Sequence, residues 1–577
     1  MSPNTSSPNN SRSARILVPG SASGRLVFSD VPLSFMMGVD AESGVIADTH
    51  HPLRGTALAG KILAIPCGRG SCSGSGTILE LLLAGAAPAA LIFQKTEEIL
   101  TLGVLIAKAM FSKSIPVIQV EDALLFGRLT SAEFATITDE RLIVTGPDEF
   151  QLPLSSPRTD KVALSLSDQE ILQGTRGPAT KMALEMIVSY AALQGADALV
   201  DVSQAHIDAC IYVGKGSLLI PKRLHELNGR FAVPATCNSL SVDRLRWREL
   251  GADPEVSAAS SQIGDLYLAM GAKESFTCAP YLLESKPNAG AQIGWSESNA
   301  VVFANSVLGA RTQKYPDYVD VFIALTGRAP YAGCHRAEGR IPKVCIDVPP
   351  LDGWDESVFP LLGYHIGGLI GSEIPLIYGL ESSNPTIADL KAFGAGFATS
   401  SSAPMFHIRG VTPEASTTEF PECQANRVQV DIHGLQDTWN QLNSAKNGTV
   451  DVVSLGNPHF ALEEFARLTF LCGNRRKLES VEFIITTSQQ IYKEALALGY
   501  LDALESFGAQ FITDTCWCMI QDPVIPPHAQ TIMTNSAKYA HYGPGMVKRG
   551  FHFGGLAACV EAACVGERTT QECAVAS

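Results

Sequence analysis

No stretch of this 577-residue chain concentrates Lys or Arg, and 58 acidic side chains against 43 basic ones leave a formal net charge of −15. A surface of that sign repels a phosphate backbone, so nucleic acid is not an expected partner. Long apolar runs are scarce too. The most apolar segments, Ile78 to Phe93 and Pro360 to Tyr378, are broken by Glu, Gly or Pro, and neither offers the roughly 18 uninterrupted apolar residues of a membrane span. The first residues, Met1 to Arg15, are rich in Ser, Asn and Pro and lack the apolar centre of a secretory signal, while the closing Ala-Val-Ala-Ser is not a peroxisomal tripeptide. A cytoplasmic location is therefore expected.

Nucleotide signatures are also missing. The Gly-rich stretch Gly68-Arg69-Gly70-Ser71-Cys72-Ser73-Gly74-Ser75-Gly76 has no Lys-Ser/Thr at Walker distance and no dinucleotide fingerprint with its acidic follower. The run Cys516-Trp517-Cys518 is Cys-x-Cys and not Cys-x-x-Cys, which argues against a dithiol oxidoreductase. Fourteen cysteines without a secretory signal point to buried thiols and a few metal ligands, not to a disulfide framework.

What is present is the composition of a turn-rich α/β enzyme: 46% hydrophobic residues, 18% charged, 50 glycines and 33 prolines. The length predicts more than one domain. Short strands at Ile16 to Val18, Lys61 to Ile65, Ala90 to Phe93 and Pro116 to Val120 alternate with helical stretches, predicting a compact small domain over residues 15–147 after a disordered 1–14. Residues 148–161, rich in Pro, Ser and Asp, read as a linker. Beyond it, a helix over Gly177 to Gly195 and strand-like runs at Ala198 to Val200 and Phe231 to Val233 predict a large α/β domain over 162–565, with a frayed tail at 566–577. Val411 to Asn443 has fewer apolar runs and reads as an inserted or connecting segment.

After the strand Lys61 to Ile65, the Gly-rich turn and a helix from Thr77 to Ala84 can aim backbone N–H groups at an anion while presenting Ser71 at the tip. In isolation such a loop reads as a structural turn with a serine cap. Cys278 and Cys516 are far apart in sequence and, taken singly, read as core thiols; a shared metal site requires the fold to join them. A lone histidine is more often a satisfied core residue than a ligand.

The motifs change these readings together. Gly38-Val39-Asp40, His51-Pro52-Leu53 and Gly68-Arg69-Gly70-Ser71 accompany Ala205-His206-Ile207-Asp208, Thr277-Cys278-Ala279-Pro280-Tyr281, Trp295-Ser296-Glu297-Ser298-Asn299, Phe303 to Thr312, Gly456-Asn457-Pro458-His459, Asp514-Thr515-Cys516 and Thr534 to Tyr539. In this combination and order the chain resembles the aconitase X family, in the form where a small swivelling β/α domain is fused ahead of a large multi-layer α/β aconitase-like domain.

That resemblance implies a dehydratase. Ser71 would be the proton acceptor, with Arg69 supporting its deprotonated form or clamping a substrate carboxylate. Cys278 and Cys516 would hold iron, as mononuclear Fe3+ or a small iron–sulfur cluster. In the archaeal two-subunit branch a third ligand is a cysteine where this chain has Asn457, which implies a neutral oxygen donor in its place. Cys518, two residues after Cys516, is expected to face away from it. His206, Asp208, Asn238, Ser298, Asn299, Asn305 and Lys538 fall in matching motifs and would bind substrate.

The implied reaction is β-elimination of water from a small hydroxy acid. For fused chains this is cis-3-hydroxy-L-proline to Δ1-pyrroline-2-carboxylate, with no obligatory second subunit. A different hydroxy acid such as mevalonate 5-phosphate, or a metal- or metabolite-binding protein without turnover, are the other readings.

Overall fold

The computed structural model describes residues 14–36, 38–48, 51–68, 74–155, 161–351, 353–417, 420 and 426–568. Arg69 and Ser71 lie outside the described residues. Contacts divide the chain into two compact units, Met1–Leu199 with Val213–Arg223, and Val200–Tyr212 with Leu224–Ser577.

The first unit is built on an eight-stranded sheet. Ile62–Ile65, Ala90–Phe93 and Val117–Val120 pair in parallel and are buried at every position, as strands covered on both faces must be. Phe134–Ile137 and Arg141–Thr145 pair antiparallel and alternate buried with open residues, the pattern of a sheet with one wet face. The helices Gly74–Ala84 and Ile99–Phe111 cross closely at Gly103, where a Cβ would stand 2.5 Å from the Ser75 carbonyl oxygen. Phe150–Pro153, expected in the linker, is the edge strand of this sheet, pairing with Arg141–Thr145. The helix Pro178–Leu193, started by Pro178 behind a left-handed Gly177, also belongs here. Its Tyr190 hydroxyl donates to the buried Glu98 carboxylate, and Gln194 Nε2 donates to the same group at 3.2 Å.

Among the described residues the second unit carries three parallel sheets of three or more strands, besides the pair Leu199–Asp201 and Arg328–Pro330. Ala205–Ile207 is the centre of a three-stranded sheet between Ala235–Cys237 and Gly294–Trp295. The strand expected at Phe231 to Val233 thus begins after Pro234, which pre-sets its entry. A four-stranded sheet runs His407–Ile408, Pro375–Tyr378, Val344–Asp347, Arg427–Gln429. Its last strand and the helix Ile432–Leu442 occupy the segment expected to be an insertion. A five-stranded sheet runs Gln510–Thr513, Glu482–Thr487, Val452–Leu455, Thr531–Thr534, Gly550–Phe553. The helices Val358–Ile370 and Ile387–Ser400 pack through a core that includes Leu361, Phe393 and Phe397, with Phe406 edge-on to Phe393 at 4.8 Å. Burial of each such side chain contributes roughly 1.5–3 kcal/mol. Among the described residues no helix is long and apolar enough to cross a membrane.

Candidate active site

Nearly all the motif residues of the second unit sit just past the carboxyl ends of parallel strands, where open α/β sheets present ligand-binding loops. Asp208 follows Ala205–Ile207, Asn238 follows Ala235–Cys237, and Glu297 to Asn299 follow Gly294–Trp295. Asn457 and His459 follow Val452–Leu455, Cys516 follows Gln510–Thr513, and Lys538 follows Thr531–Thr534.

The cysteines separated in sequence meet here. The Cys516 thiol is in contact with those of Cys278 and Cys518; the Cys278 thiol, and then burial, push it up to about 12, with Cys518 acting the other way. The His459 backbone N–H donates to Cys278 Sγ at 3.3 Å, and Asn457 Nδ2 donates to Cys518 Sγ at 3.8 Å. The expectation that Cys518 faces away fails: residues two apart in a strand share a face, and here no strand reaches them. The strand ends at Thr513, Asp514 takes a left-handed φ of +61°, and Trp517–Met519 forms one turn of 3₁₀ helix. Phe276 holds the same place before Cys278 that Asp514 holds before Cys516, also with positive φ, +33°. Left-handed backbone at non-glycine residues is strained and collects at functional sites.

Among the described residues no three His, Cys, Asp or Glu side chains are arranged to hold a metal by themselves. The donors gathered here are the Cys278, Cys516 and Cys518 thiols and the Asn457 side-chain oxygen, which is buried without a hydrogen-bond partner. An orphaned oxygen costs about 1–3 kcal/mol unless something satisfies it. Soft thiols with one hard oxygen are donors that iron or a small iron–sulfur cluster accepts.

Lys538 brings positive charge to the thiols. Its Nζ donates to Glu297 Oε1 at 3.1 Å, with the side chains 12% and 8% exposed. Burial works against its charge, yet Glu297 and the thiols outweigh that and hold the ammonium well above its ordinary pKa. Glu297 Oε2 in turn accepts from the Ala300 backbone at 2.8 Å, capping the helix Ser298–Phe303, and from Asn299 Nδ2. Asn299 Nδ2 also donates to the Cys278 carbonyl at 3.1 Å, and its Oδ1 accepts from the Tyr281 hydroxyl at 2.8 Å. Ser298 opens that helix half-buried.

A second polar group lies at the three-stranded sheet. Asn238 Nδ2 donates to Asp208 Oδ1, and the Asp208 backbone N–H donates to Asp320 Oδ2 at 2.5 Å. Burial, then Asp317, Glu297 and Asp320, keep the Asp208 carboxyl well above the carboxylate range. His206 hydrogen-bonds Thr236 Oγ1 through Nδ1 at 2.7 Å, and burial lowers it to about 3. Asn305 serves the scaffold: Nδ2 donates to the carbonyls of Thr312 and Pro404, while Oδ1 accepts from the Thr312 backbone and Arg340. With donors and acceptor all committed, Asn305 has nothing left for a substrate.

Two further residues belong to the site: Glu297, which no sequence signal singles out within its motif, and His459, which by sequence is a candidate of the same kind as His206, a lone histidine more often satisfied in a core than functional. Glu297's partner is 241 positions away, and His459's contacts are 182 and 56 away.

The class that this fold and these strand-end motifs define is borne by the whole chain. It matches the aconitase X swivel domain over residues 11–146, the first domain over 161–338, the second over 342–440 and the third over 450–565. The protein belongs to the aconitase X family. It is 47% identical over 566 residues to the cis-3-hydroxy-L-proline dehydratase of Hypocrea jecorina, covering 95% of this chain and 94% of that one. It is equally 47% identical over 564 residues to the enzyme of that name from Pseudomonas aeruginosa, covering 96% of each. The phosphomevalonate dehydratase large subunit of Methanothermobacter thermautotrophicus is 32% identical over 67% of this chain and 95% of its own. The crystal structure of Thermococcus kodakaraensis aconitase X in its holo-form superposes with a TM-score of 0.62 at 27% identity, over 70% of this chain and all of that one.

Proposed function

We propose that this protein is a hydro-lyase that removes water from cis-3-hydroxy-L-proline, giving an enamine that tautomerises to Δ1-pyrroline-2-carboxylate. The observation that carries the reading is 47% identity, over nearly the full length of both chains, to two dehydratases named for that substrate. The phosphomevalonate enzymes match more distantly and as separate large and small subunits, whereas both portions lie here in one chain. The protein would work in the cytoplasm without an obligatory second subunit.

Iron held by Cys278 and Cys516, with Asn457 as a neutral oxygen donor, would supply a Lewis acid that makes the C3 hydroxyl a better leaving group. The protein's own side chains do the rest. Ser71 Oγ accepts the proton α to the carboxylate, assisted by Arg69. As that proton leaves, negative charge moves onto the carboxylate oxygens, and the Lys538 ammonium, aimed by Glu297, is a fixed positive charge for them. Asn299 orients this pair and the Cys278 backbone together, while Asn238 and Asp208 offer polar groups for the ring substituents. In the cis isomer the α-proton and the hydroxyl lie on opposite ring faces, so base and leaving group are separated by the ring.

The test is anaerobically prepared, iron-loaded protein given cis-3-hydroxy-L-proline, its trans-3 isomer, citrate and mevalonate 5-phosphate, with Δ1-pyrroline-2-carboxylate read by coupling to an imine reductase. Turnover of the cis isomer and far slower reaction of the trans isomer are expected. Dehydration of mevalonate 5-phosphate with no reaction of cis-3-hydroxyproline would overturn the substrate, and inertness toward every hydroxy acid would overturn the reaction.

A further inference from the structure

Three of the hydrogen bonds that His459 makes reach the two cysteine-bearing loops. Its backbone N–H donates to Cys278 Sγ at 3.3 Å. Its ring pairs Nδ1 with Thr277 Oγ1 at 3.0 Å and Nε2 with the Thr515 carbonyl at 2.9 Å. Thr277 and Thr515 are the residues immediately before Cys278 and Cys516. Because a carbonyl can only accept, Nε2 carries the ring proton, and Nδ1 is left to accept from the Thr277 hydroxyl. One imidazole thus spans two loops that are 238 positions apart in the chain, at the same point of each.

The histidine is itself held. Lys391, 3% exposed, donates from Nζ to the His459 carbonyl at 2.8 Å and pairs with Glu464. Glu464 Oε2 accepts from the Ala461 backbone N–H at 2.7 Å, two residues on. A buried ion pair is weak support for stability, since well-packed apolar residues often serve as well. Here both charges end on the backbone that carries His459, which is a use apolar side chains would not serve.

We propose that His459 is the positioning residue of the thiol site, fixing Cys278 against Cys516 through their preceding threonines and placing an N–H on the Cys278 sulfur, with Lys391 and Glu464 anchoring its backbone. The inference rests on the reading that these thiols hold iron. Hydrogen bonds to ligating sulfur set the electronic properties of such centres, so the effect is legible in metal affinity and in spectra, apart from turnover.

The experiment compares wild type with His459→Ala, His459→Gln, Thr277→Val and Cys278→Ser. Each is loaded anaerobically with ferrous iron and sulfide, then read for iron per chain, visible absorption and urea midpoint. His459→Ala should weaken iron retention by about 10- to 100-fold, the usual loss on removing a group that orients a ligand, and should shift the absorption. His459→Gln, whose amide nitrogen can still donate to the Thr515 carbonyl, should recover most of the iron. If His459→Ala fails to fold, Thr277→Val carries the test: it deletes a single buried hydroxyl, which also accepts from the Ala279 backbone N–H at 3.1 Å, so the urea midpoint should fall somewhat while the spectrum of the folded variant shifts. Wild-type iron and absorption in the folded His459 or Thr277 variants, alongside loss of iron in Cys278→Ser, would overturn the inference. Wild-type iron in Cys278→Ser would instead overturn the thiol site itself.

Discussion

Removing Lys538 tests whether charge at the centre is balanced locally. In Lys538→Met the Glu297 carboxylate, 8% exposed, loses its cation but keeps its bonds to the Ala300 backbone and Asn299. Breaking a buried pair from one side typically costs about 3–5 kcal/mol, because the remaining charge stays buried and unpaired. With those two donors retained, the lower end, about 3 kcal/mol, is expected. Glu297→Gln alone leaves an ammonium without its partner and should also destabilise. In the double variant neither charge remains, so its loss should fall short of the sum of the single losses by about 2 kcal/mol, within the range of coupling for residues in contact.

The assay is favoured by composition. All five tryptophans, Trp247, Trp295, Trp354, Trp439 and Trp517, lie in the second unit, so urea unfolding followed by tryptophan fluorescence reports that unit and not the first. The cycle should be run with chelator, to keep metal binding out of the free energies. An additive cycle, with coupling below about 0.5 kcal/mol, would refute the reasoning: Glu297 would then be satisfied by its backbone and amide partners alone, and Lys538 would owe its position to something else.

Ser71→Ala should abolish turnover and the entry of solvent deuterium at the substrate α-carbon while leaving iron content unchanged; an active variant would move the base elsewhere. His206 is held neutral by burial at about 3 against an ordinary 6.5. The unfolded chain therefore binds a proton that the folded one does not as pH falls below 6.5, and stability drops toward low pH by at most about 1.4 kcal/mol per pH unit. Asp320, raised by burial to about 7, contributes the opposite slope, so the check is the difference between wild type and His206→Asn in urea midpoints from pH 7 to 4.5. Parallel curves would refute it.

What was legible in the sequence was whatever a local run of residues carries. The Trp295 to Asn299 and Thr534 to Tyr539 runs mark strand-to-helix corners, and those corners are where the structure puts Lys538, Glu297 and Asn299. Less legible was which way each polar group would turn. Asn305 shares a motif with its neighbours, but its amide answers to Arg340 and Pro404, 35 and 99 positions on, and no local pattern encodes that. Cys518 is no matter of alternation at all: residues two apart in a strand share a face, and a left-handed Asp514 ends the strand before Cys516 is reached. The linker expectation failed over Phe150–Pro153 for a related reason. Pro153 closes an edge strand, and edges are where a sheet tolerates proline.

The centre is assembled from loops, yet its loops are not free to wander, and the reasons lie in how each one begins and ends. Each departs from a parallel strand locked by neighbours, and two of them stop at capped helices. Glu297 accepts from the Ala300 N–H, and Ser536 Oγ accepts from the Tyr539 N–H, which starts the helix Ala537–Val547 one residue before Lys538. The strained residues Phe276 and Asp514 add a second constraint, since a left-handed non-glycine persists only where its surroundings over-determine it. At both places the surroundings include a His459 contact to the following threonine. The strain and the imidazole bridge are therefore two sides of one arrangement. The bridge holds the loops in a conformation their backbones would otherwise leave, and that conformation is the one that brings thiols from opposite halves of the unit's sequence into contact.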